Sequence, residues 1–260
     1  MKQPLVIKVG GALLESTSGQ QALFTTIAQL TEQDIHVVLV HGGGCLVEEW
    51  LSQAGMKSEK LDGLRVTPQS QIDLVAGALA GAANKKLVAC AKSTGLKTVG
   101  LSLADGDIVT SDYLDSRLGQ VGQCQAHERS LLISLLASGF VPVISSIADD
   151  GAGNLLNVNA DQAAQVIAQL LNAKLILLSD VPGVLDGDKQ LISKLSPELA
   201  QQLVADDVIV GGMKVKVDTA FATANALGDS IVIASWQEPQ QLLALVDGGV
   251  CGTLIESNAV

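Results

Sequence analysis

Apolar residues fall into two spacings along this chain. Six short runs are apolar almost throughout: PLVIKVG, IHVVLVHGG, KTVGLSL, FVPVISSI, AKLILLSD and DSIVIAS. Runs of that length, rich in Val, Ile and Leu and bounded by Gly, Ser or Asp, predict strands buried on both faces. Between them, residues 20–32, 45–54, 68–93, 128–138, 160–172, 198–205, 214–227 and 239–246 carry apolar positions at helical spacing over helical lengths. Strand alternating with helix predicts an α/β fold: a mainly parallel sheet, helices on both faces and right-handed crossovers. Two stretches break the pattern. Asp62-Gly63 between short apolar segments predicts a hairpin across 60–66, and 105–124 is loop-rich with alternating residues, so both are expected to be antiparallel excursions. No Pro/Gly/Ser linker divides the chain, so two lobes, 1–173 and 174–260, are expected to share one continuous sheet with a boundary near Lys174.

Composition sharpens this picture. Hydrophobic residues make up 48% of the 260, yet aromatics amount to two Trp, one Tyr and three Phe, so aliphatic side chains must fill the interior. A formal charge of −11 with no run of Lys or Arg repels phosphate backbones and anionic membranes, which excludes nucleic acid as an expected partner. Cys45, Cys90, Cys124 and Cys251 form no C-x-x-C pair and only three histidines are present, so no metal site is expected and the thiols are read as free and mostly buried. The start, MKQPLVIKVGG, lacks the apolar stretch and cleavage site of a signal peptide, and no run of about 18 apolar residues is seen. A cytoplasmic location, with no membrane partner, is the expectation.

In so acidic a chain, cations beside glycine-rich turns carry more information than usual. Lys8 lies inside the first predicted strand, just ahead of Gly10-Gly11, so its ammonium emerges at the strand's C-terminal edge, where open α/β sheets bind ligands. K-x-G-G alone does not separate a phosphate contact from a lysine reaching solvent. The second strand ends in His41-Gly42-Gly43-Gly44 and runs into a helix, an anion-binding arrangement, with His41 read as structural. No G-x-x-x-x-G-K-[ST], G-x-G-x-x-G or H-R-D motif occurs, which disfavours P-loop enzymes, dinucleotide dehydrogenases and protein kinases.

Further along, Arg65 in L-R-V-T-P precedes a helix expected to start with Thr67 as cap and Pro68 in its first turn. Arginine there suits capture of a carboxylate, and it equally suits a solvated surface. In Asn157-Val158-Asn159-Ala160-Asp161 two amides and a carboxylate crowd a helix start where one cap would suffice, so the surplus suggests a ligand or a lysine network. Ser179-Asp180-Val181-Pro182-Gly183-Val184 ends a strand in a loop suited to a nucleotide. Finally, Gly211-Gly212-Met213-Lys214-Val215-Lys216 opens a helix. Lys214 and Lys216 are two apart and cannot share a helical face; spacing does not say which points to the site.

Taken together, K-x-G-G, H-G-G-G, L-R-V-T, N-V-N-A-D, L-L-S-D-V-P-G and G-G-M-x-x-K resemble the amino acid kinase family over nearly the full chain, and most of all its members that phosphorylate N-acetyl-L-glutamate. The resemblance implies a three-layer αβα sandwich, with the acceptor and the dimer contact in the N-terminal lobe and Mg-ATP in the C-terminal lobe. It implies that Lys8 and Lys216 stabilise the transferring phosphoryl group from opposite sides, with Asp161 orienting both lysines. Gly43 and Gly44 would offer N–H groups near the acceptor and Gly11 one at the phosphoryl group; Arg65 would hold the acceptor's α-carboxylate and Asn157 its acetamido group. Asp180, Val181, Pro182, Gly183, Val184 and Leu185, with Val208, Ile209 and Val210, would hold ATP, and Mg²⁺ would arrive on the nucleotide. L-R-V-T and N-V-N-A-D favour this acceptor over carbamate, aspartate, glutamate or UMP. A regulatory protein on the same fold, binding without turnover, would be expected to lack Lys8, Asp161 or Lys216; all are present. Arginine-inhibited relatives carry an extra N-terminal helix, whereas the first strand here begins within a few residues of Met1, so a homodimer insensitive to arginine is expected.

Overall fold

The computed structural model of the chain describes residues 2–245, 248–249 and 251–257. In chain order the strands are β1 (Leu5–Val9), β2 (Val37–His41), β3 (Glu59–Leu61), β4 (Leu64–Val66), β5 (Thr98–Ser102), β6 (Val109–Tyr113), β7 (Val121–Ala126), β8 (Val141–Ser145), β9 (Ile147–Asp149), β10 (Leu155–Val158), β11 (Lys174–Ser179), β12 (Lys194–Leu195), β13 (Ile231–Ser235) and β14 (Thr253–Ile255). The helices are α1 (Ala12–Glu15), α2 (Thr17–Glu32), α3 (Gly44–Gln53), α4 (Ile72–Ala76), α5 (Asn84–Ser93), α6 (Ser130–Ala137), α7 (Ala160–Leu171), α8 (Pro197–Ala205), α9 (Gly211–Leu227) and α10 (Gln241–Ala244). All six predicted strands and all eight predicted helical segments correspond to elements, the last over Gln241–Ala244 only, Val246 lying outside the described residues.

Among the described residues one sheet runs β12-β14-β13-β11-β1-β2-β8-β5, so β1 near its centre is flanked by β2 and β11. Its pairings are parallel except β13 with β14. Strand period decides what faces what. Leu5, Ile7 and Val9 pack with Leu23, Phe24 and Ile27 of α2 and Leu87 of α5 on one side, while Val6 packs with Ile167 and Ala220, from α7 and α9, on the other. Successive side chains alternate faces, so Lys8 shares the α7 side with Val6. Both faces are covered, giving the αβα sandwich and explaining why the strands lack polar alternation.

The excursions form smaller sheets. β3 and β4 pair as a hairpin around Asp62 (φ 52°) and Gly63 (φ 82°), the two positive φ values a tight two-residue turn needs. A second sheet, β6-β7-β10-β9, contains the expected antiparallel β6–β7 pair and a β9–β10 pair that the sequence reading passed over.

Residues 68–93 were expected as one helix. The helix begins only at Ile72, and Gly77–Ala83, GALAGAA, is a π-helix inserted between α4 and α5. Six of its seven residues are Gly or Ala. Ile72–Ser93 is 22 residues long, and its most apolar 18-residue stretch has mean hydropathy 1.3, enough by length and composition to cross a bilayer although Asn84, Lys85 and Lys86 interrupt the apolar run. Here Val75, Leu79, Leu87 and Ala91 are buried in two cores instead. Nor are the thiols mostly buried: Cys124 and Cys251 are, Cys90 is half-buried and Cys45 is exposed.

Candidate active site

The C-terminal end of β1 meets the N-terminus of α7. Asn159 caps that helix, its Oδ1 accepting from the amides of Asp161 at 2.8 Å and Gln162 at 3.2 Å. One cap therefore suffices, and Asp161 is left to turn toward β1, where Lys8 Nζ lies 2.9 Å from its Oδ1. Gly10 lies beside the lysine's Nζ, and Gly11, which lines the larger cavity described below, adopts φ 51° and ψ −124°, a backbone that a side chain would strain.

His41, at the end of β2, is fully buried. Burial pushes its pKa down to about 4, with a smaller opposing contribution from its bond to Gly42. Nδ1 lies 2.7 Å from the Gly42 carbonyl and Asn84 Nδ2 lies 3.0 Å from Nε2. The neutral ring accepts at Nε2 and so donates from Nδ1, which makes His41 structural, as expected. In a trans peptide the C=O and N–H point oppositely, so fixing the Gly42 carbonyl also fixes the Gly43 N–H, aimed away from His41. Gly43 has φ 158° and ψ 38°, and a Cβ there would sit 2.8 Å from Leu79 Cδ2.

Arg65 reaches this loop from β4. Its Nη2 is 3.0 Å from Glu48 Oε1 and 3.2 Å from the Gly44 carbonyl, and its Nη1 bonds Ser58 Oγ. The side chain is only 10% exposed, so it is not a solvated surface arginine. Burial raises the Glu48 carboxyl, but hydrogen bonds from Arg65 and Ser58 and the charges of Arg65 and Lys60 outweigh this and hold it below its ordinary value. Thr67 is not the helix cap: its amide donates to Leu118 O at 2.8 Å, it bridges to Gly119, and α4 starts at Ile72. Asn157 Nδ2 donates to Thr67 Oγ1 at 3.1 Å.

Gly43, Gly44, Arg65 and Asn157 line one cavity of about 170 Å³, floored by Val47, Val75 and Leu79. A larger cavity, about 680 Å³, lies on the other side of Gly43 between Leu14, Leu46 and Leu87. Polar donors converge on the smaller one, which makes it the better acceptor site despite its size. Cys45 lines the larger cavity, where a hydrogen bond with Glu15, then burial, raise its thiol and argue against a nucleophilic role.

Lys216 sits apart from Asp161. Its Nζ lies 2.6 Å from Asp180 Oδ1 and 2.8 Å from Ser179 Oγ, at the end of β11. That hydrogen bond, then the one from Ser179, hold the Asp180 carboxyl below its usual range. Lys214 points the other way, to Asp218 at 2.7 Å, one helical turn on. Of the loop expected to hold a nucleotide, Asp180 and Pro182 are exposed and Val181 and Leu185 half-buried, whereas Gly183 and Val184 are buried. Val184 and Ile209 are core residues, so they can reach a ligand only through backbone; Val208 is half-buried and Val210 is 54% exposed.

The amino acid kinase family pattern matches residues 3–235. The chain belongs to the amino acid kinase family. Acetylglutamate kinase of Colwellia psychrerythraea is 52% identical over 256 residues, 98% of each chain, and that of Moritella profunda is 50% identical over 258 residues, 99% of this chain and 98% of that one. A solved protein of Streptococcus mutans, 30% identical, superposes with a TM-score of 0.81 over 99% of this chain and 100% of its own. Carbamate kinase from Giardia, 18% identical, shares the fold with a TM-score of 0.63 over 98% of this chain and 99% of its own.

For this amino acid kinase, sequence reasoning missed Glu48, Ser58 and the role of Thr67. Glu48 lies one helical turn beyond Gly44, so it faces the same side as the loop, the one signal that was available. Nothing local marks Ser58 or Thr67, whose partners are set by the hairpin and by β10.

Proposed function

We propose that the chain catalyses ATP-dependent phosphorylation of the γ-carboxylate of N-acetyl-L-glutamate, yielding N-acetyl-L-glutamyl 5-phosphate and ADP, within arginine biosynthesis. The carrying observation is that Arg65 and Asn157, 92 positions apart in sequence, line one small cavity with Gly43 and Gly44. The names of relatives at about half identity over nearly the full chain support the same acceptor. In this reading 1–173 forms the acceptor lobe and 174–260 the nucleotide lobe, and the enzyme acts as a homodimer, which sedimentation velocity measures.

A γ-carboxylate has an ordinary pKa of about 4.3, so at neutral pH it is already the nucleophile and needs no general base. What it needs is alignment of two anions and neutralisation of charge on the transferring group. Lys8, held by Asp161, supplies one fixed cation beside Gly10. Lys216 supplies the second by leaving Asp180 for the phosphoryl group, and Gly43 and Gly44 contribute N–H donors. Among the described residues no group of three or more His, Cys, Asp or Glu side chains could hold a metal. Mg²⁺ arriving with ATP would neutralise phosphate charge, keeping phosphate and water among its ligands.

ADP release with Mg-ATP tests this, run with N-acetyl-L-glutamate beside glutamate, aspartate, carbamate and UMP, with hydroxylamine trapping of the acyl phosphate. Turnover and a hydroxamate with the acetylated acceptor alone are expected. Turnover with another acceptor would remove the roles given to Arg65 and Asn157, and silence with all would favour a binding protein without turnover.

A further inference from the structure

Thr67 is fully buried behind the acceptor cavity and does not line it. Three hydrogen bonds tie it to Asn157 in a closed circuit. The Gln120 amide donates to the Thr67 carbonyl at 2.7 Å, the Asn157 amide donates to the Gln120 carbonyl at 2.9 Å, and Asn157 Nδ2 returns to Thr67 Oγ1 at 3.1 Å. The circuit is tightly packed: a Cβ on Gly119 would come within 2.5 Å of the Thr67 carbonyl. Thr67 Oγ1 has one proton, and Arg65 O, 3.4 Å away, takes it. The hydroxyl then accepts from the Asn157 NH₂ that faces it. That leaves Asn157 Oδ1, which has no protein donor among the described residues, for the cavity.

We infer that Thr67 is a positioning residue for acceptor specificity: it locks the Asn157 amide with its oxygen toward the cavity, so the site selects an acceptor bearing an N–H there. This rests on the proposed acceptor, whose acetamido N–H is the matching donor. A site built to receive an N–H leaves its own acceptor unpaired, or facing another oxygen, when the N–H is replaced by oxygen. Without the Thr67 hydroxyl, the amide is free to turn over and offer Nδ2 instead.

The test compares kcat/KM for N-acetyl-L-glutamate with that for its ester counterpart, (S)-2-acetoxyglutarate, in which oxygen replaces the N–H. Wild type should prefer the amide roughly tenfold to a hundredfold. Thr67→Val, which keeps shape and removes the hydroxyl, should bring the ratio to within about threefold by raising KM for the amide, with kcat and KM for ATP little changed; Thr67→Ser should restore it. Asn157→Asp, which presents only oxygens, should keep the preference for the amide while weakening both acceptors, and it decides the question should Thr67→Val fail to fold. A wild-type ratio retained in folded Thr67→Val, or a preference lost in Asn157→Asp, would overturn the inference alone. No wild-type turnover of N-acetyl-L-glutamate would overturn the proposed function and this inference with it.

Discussion

Lys8 and Asp161 form a 2.9 Å ion pair that joins the end of β1 to the first turn of α7, with side chains 19% and 29% exposed. So shielded, the pair is worth more than a surface salt bridge, and each partner leaves the other without its charge when removed. Lys8→Met should lower kcat by about 10²- to 10³-fold, in line with loss of one electrostatic donor to the transition state. Asp161→Asn should lower kcat less and cost about 1 to 2 kcal/mol in urea denaturation. Equal losses in both variants would mean that Asp161 does more than hold Lys8.

The Lys216–Asp180 contact predicts a division of labour. Lys216→Met should lower kcat by about 10²- to 10³-fold, whereas Asp180→Asn should leave kcat within about tenfold, because it frees the lysine. A carboxyl held below its ordinary value adds stability above that value and loses it as pH falls through the lowered one. The pair therefore stays intact across neutral and mildly acid pH. Carbon NMR should place the Asp180 midpoint below 3.8 and return it toward 3.8 in Lys216→Met.

His41 predicts an acid-sensitive fold. The unfolded chain takes up this proton near pH 6.5, and the folded chain only near 4. Between those values the unfolded state binds more protons, so stability is complete above about 6.5 and declines as pH falls toward 4, by about 3 kcal/mol in all. Urea midpoints at pH 7 and pH 4.5 measure this, against His41→Asn, in which the His41 share of the decline disappears. Because the ring also holds the Gly42 carbonyl and hence the Gly43 N–H, His41→Asn should lower kcat at pH 7 as well.

Gly43→Ala tests the loop itself. The added Cβ meets Leu79 at 2.8 Å in a backbone conformation that side chains rarely adopt. Loss of about 1 to 3 kcal/mol of stability and a raised KM for the acceptor are expected, with KM for ATP little changed. Unchanged acceptor kinetics would show that this edge of the cavity is not used.

The main elements were legible because the buried strands are short continuous apolar runs bounded by Gly, Ser or Asp, and the helices carry apolar positions at helical spacing. The exceptions have local causes: the GALAGAA π-helix has no periodic signature apart from small residues, and Pro68 after Thr67 imitates a helix start that Thr67's pairing with Gly119 and Leu118 overrides. Strands β9, β10, β12 and β14 have two to four residues each, too short for a period to show.

The same division runs through the site. Sequence alone set the glycine turns at strand ends, the cap-rich entry to α7 and the emergence of Lys8 at the C-terminal edge of β1. It could not choose partners. That Asp161 takes Lys8 while Asp180 takes Lys216, that Arg65 is held by Glu48, and that Thr67 stands behind Asn157 follow from strand order and from register between segments up to 153 positions apart. Periodicity is a property of neighbouring residues, fixed by backbone geometry. A hydrogen-bond partner is fixed by where two distant segments come to rest, and only the packed tertiary structure decides that.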